Sequence, residues 1–327
     1  MTAREQIILL FERQKELSVK EIMHKLDHSK QMIHLVIKDL AQEGFIEKLG
    51  RAPKTIYRLA SNNSKEPNRD FSDINDEMNS FLDKNFILIT EIGELLHGIE
   101  AFTVWCEKRN LPLLKTLDEF VTTKTKYERF YTSEGTIDGT NKLISTYGEN
   151  TYLDKVIYLD FYAIERFGKT RLGTLLHFAK QGQNKFLMRL LMDELKPKIF
   201  PLIAKGQYEA VAFVPPTIRR EIQIMKFIEA SLNLSLPVID LKKISGIIPV
   251  PQKSLSKLPE RINNAKKTFA VSDQRQFNKV LLIDDAVGSG ATLNYISEKL
   301  KLKNVAKIVD GLAVVGSFKG FDVITDI

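Results

Sequence analysis

The stretch KVLLIDDAVGSGATL, residues 279–293, limits what this 327-residue chain can fold into more than any other. Val280 to Ile283 fit a buried strand, Asp284 and Asp285 stand at its carboxyl end, and Gly288 to Thr292 form a loop whose amides open a helix. A strand that passes through a glycine turn into a helix is half of a crossover unit, so its neighbours must be further strands and helices in alternation. They are: YEAVAFVPP, LPVIDL and AKIVDGLAVVG are short β-branched runs, with RREIQIMKFIEASL and ATLNYISEKLK between them or after the turn. The alternation predicts an α/β fold over residues 150–327, a parallel sheet with helices on both faces. In such sheets, ligands bind beyond the carboxyl ends of strands.

A sugar phosphate would satisfy both halves of this motif. Exposed amides at a helix start bind phosphate through hydrogen bonds and the helix dipole. Gly288 and Gly290 let the backbone approach closely, and Ser289 and Thr292 add hydroxyl donors. Asp284 and Asp285 can accept hydrogen bonds from vicinal hydroxyls or orient a hydrated Mg²⁺. No lysine follows the last glycine, so a nucleotide-hydrolysing phosphate loop is disfavoured. A hydrophobic strand, two acids, small residues and a threonine together resemble the fingerprint of type I phosphoribosyltransferases. That resemblance implies that Asp284 and Asp285 meet the ribose hydroxyls of phosphoribosyl pyrophosphate (PRPP). Ala286, Val287, Gly288, Ser289, Gly290, Ala291 and Thr292 would wrap its 5′-phosphate, with Gly288 standing where a small hydroxyl residue is frequent.

A second segment, PQKSLSKLPERINNAKKTF, is similar to the ComF-like members, through Gln252, Leu255, Arg261, Asn264 and Phe269. TLLHFAKQGQNKFLMRLL and AVAFVPP are similar to the helix-lysine segment and first core strand of that family. The cysteine zinc module with which ComF proteins usually begin is replaced here by other regions. The resemblance implies that pyrophosphate is held by the loop with Pro215, Pro216 and Thr217. Arg219, Arg220 and Arg261 would supply charge beside Mg²⁺, since arginine binds phosphate oxygens bidentately. The same arginines read equally as solvated helix charges or nucleic-acid contacts. No general base or nucleobase-specific loop is legible, so the acceptor, and whether the site transfers a phosphoribosyl group, processes a nucleotide or only binds, stay open.

The first sixty residues read as three helices and a hairpin. REQIILLFERQKE places Ile7, Ile8, Leu10 and Phe11 near one face; Ser18 and Glu21 form a capping box; Ser29 caps a third helix with a stripe through Ile33, Val36, Ile37 and Leu40. FIEKLG and TIYRLA follow as two strands around Gly50 to Pro53. This order resembles the winged helix-turn-helix family over residues 1–60. It implies a DNA or RNA partner: Lys30, Gln31 and His34 on the third helix, Arg51, Lys54 and Arg58 on the wing. Protein contact is the other use of such a domain. Residues 61–80 are a polar linker, and 81–149 a helical middle region that leaves room for a homo-oligomer.

Net charge of +7 favours a polyanionic partner without establishing one. No apolar run approaches the ~20 residues of a membrane span, and the charged amino terminus is unlike a signal peptide, so the chain reads as cytoplasmic with no membrane partner. Cys106 is the only cysteine, which rules out an intrachain disulfide or a cysteine-rich zinc site. Fusion of a helix-turn-helix to a phosphoribosyltransferase-like domain resembles accessory proteins of retrons. That implies an antiviral toxin, an effector restrained by a reverse transcriptase and its RNA–DNA product. The alternative is a PRPP-sensing transcription regulator with a noncatalytic phosphoribosyltransferase fold, similar to the purine-repressor family.

Overall fold

In a computed structural model, the structure describes residues 2–14, 16–42, 45–49, 55–59, 75–216, 218, 220–244 and 258–317. Its contacts divide the chain into two compact units, 1–73 and 74–327. The first unit runs α1 (Ala3–Arg13), β1 (Glu16–Leu17), α2 (Val19–Lys25), α3 (Lys30–Gln42), β2 (Ile46–Leu49) and β3 (Ile56–Leu59). Reciprocal capping boxes, Thr2 with Glu5 and Ser18 with Glu21, start α1 and α2. Such caps satisfy backbone donors that the helix leaves unpaired. Ser29 accepts from the Met32 amide at 3.3 Å to start α3. The strands form an antiparallel sheet in the order β1-β3-β2, and Ile7, Phe11, Leu17, Ile22, Ile33, Ile37, Leu40 and Ile46 are its buried core.

The second unit opens with α4 (Asp76–Asn85), a hairpin of β4 (Ile87–Ile89) and β5 (Leu95–His97), α5 (Gly98–Glu107) and α6 (Leu113–Glu128). There follow β6 (Ile137–Asp138), α7 (Thr140–Tyr147), β7 (Lys155–Phe161), β8 (Ala163–Ile164), β9 (Gly168–Lys169), α8 (Arg171–Gln181) and α9 (Lys185–Gly206). The chain then forms β10 (Ala210–Phe213), α10 (Ile224–Leu232), β11 (Leu241–Lys243), α11 (Leu258–Thr268), β12 (Phe269–Val271), β13 (Phe277–Val287), α12 (Ala291–Leu302) and β14 (Ala306–Gly316). The main sheet has the order β10-β13-β14-β7-β6, parallel except for the edge strand β6.

Alternation along the strands sorts the helices onto two faces. Leu281, Ile283, Leu312 and Val314 pack with α8, α9 and α10 in one apolar cluster. Gly311, the residue before Leu312 on β14, points the other way: a Cβ there would stand 3.2 Å from Leu293 of α12. The chain therefore leaves β10 toward one face and the adjacent strand β13 toward the other. That divergence opens a crevice at their carboxyl ends, where open α/β sheets bind ligands.

The structure refines several sequence-based expectations. LPVIDL does not form one strand: Val238 makes a single bridge with Val211, and only its last residue, Leu241, enters β11. RREIQIMKFIEASL is helical only from Ile224. The region expected to be helical up to 149 also holds the β4-β5 hairpin, and Ile137–Asp138 joins the main sheet, because Ile137 pairs with Tyr158 of β7. β7, KVIYLDF, buries all but its first residue, so it carries no polar alternation to mark it as a strand in the sequence. The polar linker falls mostly outside the described residues, and its end, Asp76 to Ser80, is already in α4. No helix among the described residues is long and apolar enough to cross a membrane.

Candidate functional site

Parallel pairing of Phe213 with Ile283 fixes where the two strand ends meet. The chain leaves β10 through Val214, Pro215 and Pro216, with the Val214 amide donating to the Ile283 carbonyl at 2.9 Å. The prolines lack amide hydrogens and cannot extend the ladder, so the segment is released beside Asp284 and Asp285. β13 continues to Val287, two residues past the acids, which are therefore inside the strand. Successive strand residues face opposite sides, and this separates the two carboxylates.

Asp285 lies on the side of α8, buried, and Lys180 of α8 donates to its carboxylate. Arg220, from the segment after β10, donates to the Lys180 carbonyl and to Gln181 Oε1, the latter at 2.7 Å. The Ile222 amide donates to Gln183 Oε1 at 2.9 Å. The loop after β10 is thus latched to the end of α8. Asp284, half-buried, accepts from the Asp285 amide through Oδ1 at 2.8 Å. Burial, then the adjacent Asp285 carboxylate, pushes the Asp284 carboxyl up to about 7, against the pull of Lys180.

The turn itself is shorter than expected. Ala291 and Thr292 already belong to α12, leaving Gly288, Ser289 and Gly290 as the bend. Gly290 is the N-cap residue, with φ of 76° in the left-handed region, where a Cβ is disfavoured. No side chain caps the helix from Gly290, and Ser289 Oγ accepts from the Ala291 amide only at 3.4 Å. Helix-start amides without a capping side chain are the anion-binding arrangement. Lys142 and Thr146 of α7, Tyr158 of β7 and Ser317 line a cleft together with the Gly288–Gly290 bend. Burial lowers the Lys142 ammonium pKa and raises that of the Tyr158 phenol, the latter helped by Asp138.

Of the residues expected at the site, Asp284, Asp285, Ala286, Val287, Gly288, Ser289, Gly290, Ala291, Thr292, Pro215, Pro216 and Arg220 gather at the ends of β10 and β13. Thr217, Arg219, Gln252 and Leu255 lie outside the described residues, as do Arg51 and Lys54 in the first unit. Arg261 is placed in α11 by its backbone alone. Asn264 Oδ1 accepts from Thr268 Oγ1 at 3.0 Å and Phe269 is buried, so these two positions shape the end of α11. On α3, Lys30, Gln31 and His34 are exposed, and so are Met32 and Leu35. Arg58 is paired with Glu47 at 2.5 Å.

Two cations at the second unit's site escaped the sequence reading. Lys180 falls within the segment FAKQGQ, whose family likeness was visible without its partner; Lys142 carries no motif at all. Among the described residues no group of three or more histidine, cysteine or acidic side chains could hold a metal ion. No family model matches the chain, and no curated protein matches it. Among solved structures it is similar to a hypoxanthine phosphoribosyltransferase from Staphylococcus aureus at 13% identity and a TM-score of 0.25. That alignment takes in 40% of this chain and 65% of the other, so the chain spans a little under two thirds of that protein's length.

Proposed function

We propose that the second unit binds PRPP, or a nucleotide with the same phosphate and ribose arrangement, in the crevice between the ends of β10 and β13. The observation that carries this reading is the junction of two carboxylates with an uncapped glycine turn at one strand end, beside the proline segment of the adjacent strand. The turn and α12 amides hold the 5′-phosphate, and the acids accept from ribose hydroxyls. Arg220 and the segment carrying Pro215 and Pro216 lie on the side where pyrophosphate would extend.

Mg²⁺ fits this donor set as an ion carried largely by ligand phosphates and water, with Asp284 and Asp285 as indirect contacts, because two carboxylates on opposite faces cannot form an all-protein cage. When bound, it neutralises charge on the pyrophosphate. If transfer occurs, the bond from the anomeric carbon to pyrophosphate oxygen breaks, the electron pair leaves with pyrophosphate, and an acceptor lone pair forms the new bond. Arg220 would bind the leaving group as its charge develops.

For the first unit the proposal is a winged helix-turn-helix use, with Lys30, Gln31 and His34 of α3 presented to DNA or RNA. The combination of such a unit with a PRPP site supports an effector held by nucleic acid, of the kind a reverse transcriptase and its RNA–DNA product would restrain. The test uses the full chain with Mg²⁺ and labelled PRPP, followed for binding and for pyrophosphate release, with and without nucleic acid. Asp285→Asn should weaken binding at least about tenfold, since it removes a charged hydrogen-bond acceptor. Unchanged affinity in that variant rejects the site. Tight binding without release makes the chain a PRPP sensor, and release that depends on Asp285 makes it an enzyme.

A further inference from the structure

Lys142 stands in the first turn of α7 and lines one cleft with Gly288, Ser289 and Gly290. Packing fixes the helix there. Leu143 is buried against Gly290, where an added Cβ would lie 2.5 Å from its Cδ1. Gly139, just ahead of α7, leaves room for Tyr158 and Val156: a Cβ on it would stand 3.3 Å and 3.4 Å from their side chains.

Among the described residues that line the cleft, Lys142 is the one that carries a charge. The Thr146 hydroxyl, one turn along, is committed to the Lys142 carbonyl at 2.7 Å. No ion pair joins Lys142 to a described carboxylate, and burial alone lowers its pKa. The Gly288–Gly290 bend that lines the same cleft leads into α12, whose first amides carry positive partial charge. A half-buried ammonium beside a helix start is a repulsive arrangement until an anion joins them.

We infer that Lys142 is a direct ligand of the phosphate group seated on the Gly288–Gly290 turn. The inference rests on the proposed PRPP reading of that turn and adds a residue from well upstream of the motif. It also implies that the site takes a phosphate monoester as dianion, because one ammonium and a row of amides balance two charges better than one.

The experiment is calorimetric titration of the full chain with ribose 5-phosphate, inorganic phosphate and PRPP, in wild type, Lys142→Met, Lys142→Gln, Lys142→Arg and Asp285→Asn, with thermal melts as a folding check. Both neutral variants should bind ribose 5-phosphate about tenfold or more weakly, the loss of one charge-assisted hydrogen bond, while Lys142→Arg keeps most of the affinity. Wild-type affinity in Lys142→Met and Lys142→Gln, with ribose 5-phosphate binding lost in Asp285→Asn, overturns the Lys142 assignment and leaves the sugar site standing. Phosphate binding lost in the neutral variants, with PRPP affinity intact in Asp285→Asn, upholds Lys142 and overturns the ribose assignment. A wild type that binds none of the three overturns both.

Discussion

Replacing Asp284 by asparagine should make the second unit more stable at pH 8 and leave it unchanged at pH 4. The carboxyl is raised from an ordinary value of 3.8 to about 7, first by burial and then by Asp285. Between those values the folded chain keeps a proton that the unfolded chain has released, so wild-type stability falls as pH rises from 4 to 7 and levels off above. At about 1.4 kcal/mol for each tenfold change in the proton equilibrium, the displacement corresponds to roughly 4 kcal/mol. Asp284 is only half-buried, and screening by water brings the expected gain well below that, to on the order of 2 kcal/mol. Asparagine keeps an Oδ1 to accept from the Asp285 amide, so the local hydrogen bond survives. Urea unfolding followed by Trp105 fluorescence isolates the effect, because the one tryptophan is buried in the second unit. Parallel stability profiles for wild type and variant from pH 4 to 8 would show that Asp284 is ionised in the folded chain at no cost, which refutes the burial argument.

Gly290→Ala should cost about 2–4 kcal/mol, part from placing a Cβ at positive φ and part from displacing Leu143. Adding Leu143→Ala should relieve the contact but not the backbone part, and a double-mutant cycle on Trp105 melts that shows no coupling contradicts the packing of α7 on the turn. Glu47→Gln should release Arg58 and tighten duplex binding at low salt, with the salt slope steeper by about one. If Glu47→Gln and the double variant Glu47→Gln/Arg58→Ala share one slope of log affinity against log salt, β3 does not touch phosphate.

What could be read from the sequence was local. The strand into Asp284 and Asp285, the glycine turn and α12 are contiguous, and their periodicities change from two to 3.6 within one segment. Caps are equally local, which is why the starts of α2 and α3 agree with Ser18 and Ser29. The two-residue edge strand β6 could not be foreseen, because its ladder to Tyr158 and Ile157 is made by folding and leaves no periodicity of its own. The extent of β13 was underestimated for a related reason. Ladder partners on β14 carry the strand past the two acids to Val287, and acids have poor strand propensity when read alone. Lys180 meets Asp285 across 105 residues, so no spacing rule could pair them.

The arrangement of cations around the strand end narrows the class of ligand. Lys180 and Arg220 stand with Asp285 on the face covered by α8, while Lys142 lines a cleft with the turn that leads to α12 on the other face. An isolated phosphate can occupy one of these regions but cannot bridge them past the carboxylates of Asp284 and Asp285, which repel it. A ligand with anionic groups at both ends and neutral hydroxyls between them meets each region with the complementary charge. On the proposed reading its hydroxyls would meet the acids as donors, its 5′-phosphate Lys142 and the α12 amides, and its pyrophosphate would extend toward Arg220. On the proposed reading, Lys180 then has to share Asp285 with a ribose hydroxyl, so its salt bridge loosens as the ligand enters and its ammonium turns toward the pyrophosphate. Ribose 5-phosphate, which lacks the second anion, should therefore bind more weakly than PRPP by a margin that Arg220→Gln narrows and Lys142→Met leaves intact. Equal affinity for the two ligands in wild type would remove the reason for placing pyrophosphate on the α8 face.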